Sequence, residues 1–188
     1  MKKLFFSAAL VAASFITFAQ DDAKALKFGV GLDVAMPMGK FGKDTDVKFG
    51  DYYSLGIGAS VQGIYSLDEQ LGLTLSLGYM SYMPKSIAGE KLPSFSAIPV
   101  LAGIEYNFTE QVFASAQIGY TIYGGKLLSD DDVKAAGLSY APGIGFRFAE
   151  NFSALLKYQG TSATFKSDGV KVTGNNISQI GLRVAYNF

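Results

Sequence analysis

Six charged side chains sit where a two-residue alternation would otherwise place small or polar groups: Lys27, Asp33, Glu105, Arg147, Lys157 and Arg183. Each is flanked on both sides by apolar residues, as in Leu32-Asp33-Val34 and Leu182-Arg183-Val184. The chemistry open to such a set is narrow. The chain has no His and no Cys, so the usual general base, the thiol nucleophile and the main zinc ligands are missing. No catalytic residue, metal ligand or cofactor is assigned. Charges withdrawn from water must pair with one another. The spacing predicts a mid-height cluster of Asp33, Arg183 and Lys157, a Glu105–Arg147 pair below it, and Lys27 at the same end. A satisfied structural network is the first reading of this set, and a gate or ion path is the second.

The other charges lie in segments without periodicity. "GKFGKDTDVKFGD" sets three Lys against three Asp, and "SDDD" is an acidic cluster of the kind that can bind divalent cations, but it lacks the spaced ligands and glycine of a calcium loop. The formal charge is zero, with no Lys/Arg-rich block, which argues against a nucleic-acid partner.

The elements that position these residues are strands. Apolar side chains recur at every second position in eight segments: Leu26 to Met36, Tyr53 to Tyr65, Leu71 to Met83, Ser96 to Tyr106, Val112 to Tyr123, Leu138 to Phe148, Phe152 to Phe165 and Ser178 to Phe188. That is the period of a β-strand with one apolar and one polar face. The fourth segment is the least regular, because Leu101 falls on the polar side. No amphipathic helix stands out. The connectors alternate long and short: Pro37 to Tyr52, Gly124 to Ala136 and Lys166 to Asn175 are long, whereas Ser66 to Gln70, Asn107 to Glu110 and Ala149 to Asn151 are tight. One rim therefore carries large loops, and the other carries turns and both termini.

Residues 1–19 have the basic start, the apolar run from Leu4 to Phe18 and the small closing residue of a secretory signal peptide. Cleavage after Ala19 would leave residues 20–188 as one domain. The remaining chain has no second apolar run near 18 residues, so no helical span is expected.

Alternation alone does not say which face looks outward. Volume does: the polar face is crowded with glycine (Gly29, Gly31, Gly56, Gly58, Gly72, Gly78, Gly119, Gly143, Gly145, Gly181), which suits the concave side of a narrow barrel. The Leu, Ile, Val and Tyr face then points out, which only lipid tolerates. Aromatics near the segment ends (Phe28, Tyr53, Tyr65, Tyr79, Tyr106, Phe146, Phe148, Phe152, Tyr186, Phe188) fit interface girdles. The fold class expected is all-β: an eight-stranded antiparallel up-and-down transmembrane barrel.

With its leader, eight strands, loop asymmetry and terminal "RVAYNF", the chain resembles the small outer-membrane β-barrel family typified by OmpX and the transmembrane part of OmpA. The resemblance implies a place in the bacterial outer membrane, among its lipid and lipopolysaccharide. It also implies that Ile180, Leu182, Val184, Tyr186 and Phe188 form a C-terminal signal read by the barrel-assembly machinery. Enzymes built on such barrels rely on a His, so their mechanisms do not carry over. A cell-wall tether is not implied either, since no periplasmic domain follows the barrel. A non-enzymatic structural or surface-interaction role, with protein partners unidentified, is the first expectation. A narrow porin-like channel for small solutes is the second, and a secreted soluble lipocalin-like barrel the third.

Overall fold

A computed structural model describes residues 26–40, 48–87, 90–91, 95–126, 132–167 and 170–188; the expected leader at 1–19 and residues 129–131 of "SDDD" lie outside the described residues. Eight strands close into a barrel: β1 (Leu26–Lys40), β2 (Tyr53–Ser66), β3 (Leu71–Pro84), β6 (Phe95–Asn107), β7 (Val112–Lys126), β8 (Asp132–Ala149), β9 (Phe152–Ser167) and β10 (Val170–Asn187). A short hairpin of β4 (Ser86–Ile87) and β5 (Glu90–Lys91) stands apart, and one helical turn, α1 (Phe49–Tyr52), precedes β2. Every neighbouring pair is antiparallel, and β1 with β10 makes the closing seam.

The register fixes the stagger of the barrel. A row of paired residues leaves β1 at Val30 and runs through Val61, Leu77, Val100, Tyr120, Leu138, Ser162 and Asn176, regaining β1 at Lys40, ten residues further along. With the usual strand spacings this stagger over eight strands tilts them by roughly 40° and gives a backbone radius of roughly 8 Å. Ten residues of tilted strand then rise about 25 Å, the height of a membrane barrel's apolar band.

Outward positions are apolar, as expected. Leu32 (72% exposed), Met36, Leu73, Leu75, Ile118, Tyr120 and Ile144 point away from the lumen, while Asp33, Glu105 and Arg183 are buried inside it. This arrangement rules out the soluble barrel, which needs the opposite phase. Tyr65, Tyr79, Tyr106, Phe146, Phe148, Phe152, Tyr186 and Phe188 lie on the outer surface.

Three expectations need correction. Tyr53 is not a girdle residue: a register shift between Tyr53 and Leu55 turns its ring into the lumen, where it is 4% exposed. Two expected long loops are mostly strand. The β7–β8 ladder runs up to Lys126 and Asp132, and the β9–β10 ladder up to Ser167 and Val170 with an irregularity between Thr173 and Asn175. Hydrogen-bonded ladders need no apolar face, so pairing continues where the alternation fades. Finally, the first long connector holds the helical turn α1, whose Phe49 is buried.

At the opposite rim, two turns use one device. The Asp68 carboxylate accepts from Gln70 and Leu71 N–H (2.8 and 2.6 Å), and the Thr109 hydroxyl accepts from Gln111 and Val112 N–H (3.2 and 2.9 Å). Such side-chain-to-backbone bonds close short turns.

A lysine at Leu77, mid-strand on the lipid face, is expected to cost about 2–4 kcal/mol. Leu67→Lys, at the exposed turn, should stay within about 0.5 kcal/mol. Urea-dependent folding into lipid vesicles measures both, and equal costs would contradict the outward lipid-facing assignment.

Candidate functional site

The interior is filled in layers. At the long-loop end, Lys48 N–H donates to Asp51 (2.9 Å) and the Lys85 ammonium donates to the Gly50 carbonyl (2.7 Å), which fixes α1 across the mouth. Phe49 is thereby driven inward against Tyr53, Tyr82 and Phe95, with ring centroids 5.1, 5.2 and 5.5 Å away, and Phe95 stacks on Tyr123 at 5.4 Å. Ala35, Met80, Ala97, Ala163 and Ile177 complete this apolar plug. Each ring pair adds about 0.5–1.5 kcal/mol beyond its burial.

Beneath the plug lies a neutral polar layer. Tyr82 donates its hydroxyl proton to Gln179 Oε1 in a short bond, Gln179 donates to Gln159 (3.3 Å), and Gln159 donates to Thr121 (3.1 Å). Thr121, Ser139 and Thr161 continue it through hydroxyl contacts of 2.7 and 2.8 Å. Gln117 donates to Thr74 (3.0 Å) on the neighbouring wall.

The mid-height charges follow. Lys157 Nζ lies 2.9 Å from Asp33 Oδ1, and Ser60 donates to Asp33 Oδ2 at 2.5 Å. Arg183 sits opposite Asp33 in the seam, yet its Nε donates to Ser60 Oγ (2.9 Å), so the hydroxyl relays between the two. Gly31 makes this possible, since a Cβ there would lie 2.6 Å from Arg183 Nε. A gap of about 20 Å³ beside Asp33, Ser60, Lys157 and Arg183 has room for about one water.

The lowest layer faces the turn rim. Arg147 ion-pairs with Glu105, also donates to Asn107 Oδ1 (2.9 Å) and the Glu110 carbonyl (3.3 Å), and rests 4.4 Å from the centroid of Phe113. Phe113 fits because its partner Gly145 has no Cβ. A cavity of about 160 Å³ opens here, lined among others by Lys27, Glu105, Arg147, Asn187 and Arg183.

The structure thus brings Asp33, Lys157 and Arg183 into one network and Glu105 with Arg147 into another, and it leaves Lys27 at the cavity edge. Sequence reasoning missed the aromatic plug and the Gln–Thr–Ser layer. The signal for the plug was Phe49, an apolar residue in a charged connector; the signal for the layer was the inward phase of Gln62, Gln117, Gln159 and Gln179. Of the expected insertion signal, Ile180, Leu182, Val184, Tyr186 and Phe188 form one exposed file on the lipid face of β10 and the chain end.

Comparison with known proteins gives a consistent fold. A family model described as an outer membrane protein beta-barrel domain matches residues 6–188. The chain is similar in structure to Ail, the attachment invasion locus protein of Yersinia pestis (18% identity, TM-score 0.60, covering 86% of this chain and 98% of that one). It is also similar to neisserial surface protein A (15%, TM-score 0.56, 86% and 97%). A third likeness is to the N-terminal barrel domain of Pseudomonas aeruginosa OprF (17%, TM-score 0.51, 85% and 97%). No curated protein matches the chain in sequence.

Asp33→Asn removes the anion that pairs with Lys157 and, through Ser60, faces the buried Arg183, and is expected to cost about 3–5 kcal/mol. Adding Lys157→Met should recover much of that loss. Denaturant unfolding in micelles tests both, and a double variant as weak as Asp33→Asn alone would show that the pair is not coupled.

Proposed function

Because the chain belongs to the outer membrane protein beta-barrel domain family and resides in the bacterial outer membrane, we propose that it acts there without catalysis, as a sealed barrel that offers its extracellular rim to partners. The observation that carries this reading is the filled lumen. Phe49 (1% exposed), Tyr82 and Phe95 (2% each) occlude the mouth, and the Gln159–Thr121–Ser139–Thr161 layer closes the next level. An eight-stranded barrel has room for its own side chains and little else. On this reading lipopolysaccharide surrounds the outer half of the apolar band, and the β7–β10 ribbons, which rise beyond the level where β1 ends, support a role for that rim. Loops borne on such a scaffold are the natural place for recognition of another surface molecule.

The channel reading makes an opposing claim. In planar bilayers the parent protein is expected to be silent, and a reproducible unitary conductance would overturn the sealed-barrel proposal. Phe49→Ser opens the mouth but leaves the layers below, so it too should conduct weakly or not at all.

The file ending in Phe188 supports a second part of the reading, recognition by the assembly machinery before the strand settles into lipid. Phe188→Ala should lower the yield of heat-modifiable, membrane-inserted protein several-fold while leaving folding of the purified chain in detergent nearly unchanged. Equal losses in the cell and in detergent would assign Phe188 a stability role only.

A further inference from the structure

Only two arginines occur in the whole chain, Arg147 and Arg183, and both line the cavity of about 160 Å³ at the periplasmic end. They are not equally occupied. Arg147 holds Glu105, Asn107 and the Glu110 carbonyl with Nη1 and Nη2 and lies over the face of Phe113. Arg183 is 6% exposed, donates from Nε to Ser60 and from Nη2 only distantly to the Gly29 carbonyl (3.5 Å), and has no carboxylate within 4.0 Å among the described residues. Its Nη1 donors have no hydrogen-bond partner among the described residues.

Among the side chains around it cations outnumber carboxylates by one, and Phe188, the last residue, also lines the cavity. Lys27, Arg147 and Arg183 line the cavity against Glu105 and Glu150, and Glu105 is already held by Arg147. Above, Asp33 is shared between Lys157 and, through Ser60, Arg183. Facing the open cavity with Nη1, the guanidinium can present two parallel N–H groups to a planar or tetrahedral oxyanion. The cavity is an order of magnitude larger than the ~10–15 Å³ one water requires, so there is room for such an ion and its hydration. Asn151, Ser153 and Asn187 add uncharged polar side chains to the wall.

We propose that the periplasmic vestibule binds one small oxyanion, a phosphate or carboxylate group, on the Arg183 guanidinium, with Lys27 at the entrance strengthening the attraction. The site faces the opposite compartment from the rim invoked above and does not depend on what that rim binds.

The presence of two arginines makes the test direct. In the folded protein in micelles, the arginine Nε–Hε region of a ¹⁵N spectrum holds two signals. Arg183→Lys assigns both by deletion, and Arg147→Lys does so equally if the first variant fails to fold. Inorganic phosphate, acetate and chloride are titrated separately at constant ionic strength. The Arg183 signal is expected to shift and saturate with phosphate or acetate while the Arg147 signal stays nearly still, and Lys27→Gln should weaken the apparent affinity several-fold. The proposal is overturned if neither oxyanion produces a saturable shift, if chloride produces the same one, or if Arg147 moves in step with Arg183.

Discussion

A bilayer core offers no partner to a backbone N–H or C=O, and that single fact organises this molecule. A sheet in lipid cannot keep an edge, so the last strand must pair with the first. The seam is long: β10 meets β1 from Asn187 opposite Gly29 to Asn176 opposite Lys40. Closure with a ten-residue stagger then sets strand tilt and barrel radius together. The side chains adjust to that geometry.

Inside so narrow a cylinder, side-chain bulk must be distributed. Several large inward groups find room where a partner strand supplies a glycine. Arg183 lies along Gly31, Phe113 against Gly145, and Tyr82 against Gly56, where a Cβ would fall within 2.1–2.8 Å of the neighbour. Glycine lowers strand propensity, and here it provides the volume that lets the polar layers interlock. The glycines and the buried charges are therefore one design feature: the first make room, and the second fill it with paired donors and acceptors.

Much of this was legible in the sequence, for a physical reason. A two-residue period is a direct consequence of pleat geometry, and in lipid it must hold over the entire apolar band, so all eight strands and their inward charges could be phased from residue types alone. The phase failed where lipid stops imposing it. Tyr53 lies beyond a register irregularity at the extracellular margin, and Val170 to Asn175 pair although their alternation has lapsed. Phe49 stands out in the sequence as an apolar residue in a charged connector, but where its ring lands depends on a tertiary event, the folding back of α1 held by Lys85 and Asp51. The Ser60 relay was missed for a related reason. The spacing brings Asp33, Arg183 and Lys157 together but does not say which cation touches the carboxylate: Lys157 reaches it across β10, and the Ser60 hydroxyl fills the remaining side.

The two ends of the lumen are consequently unlike. The extracellular half is closed by interlocking rings whose contacts are non-directional and exclude water, so it suits a rigid platform under variable loops. The periplasmic half holds an open cavity of about 160 Å³ with polar walls. Arg147 is held by an acid, an amide, a carbonyl and a ring, whereas Arg183 keeps donors free within the same cavity. Because Arg183 faces open volume there, the periplasmic mouth, and not the occluded extracellular one, is where the proposed oxyanion would bind.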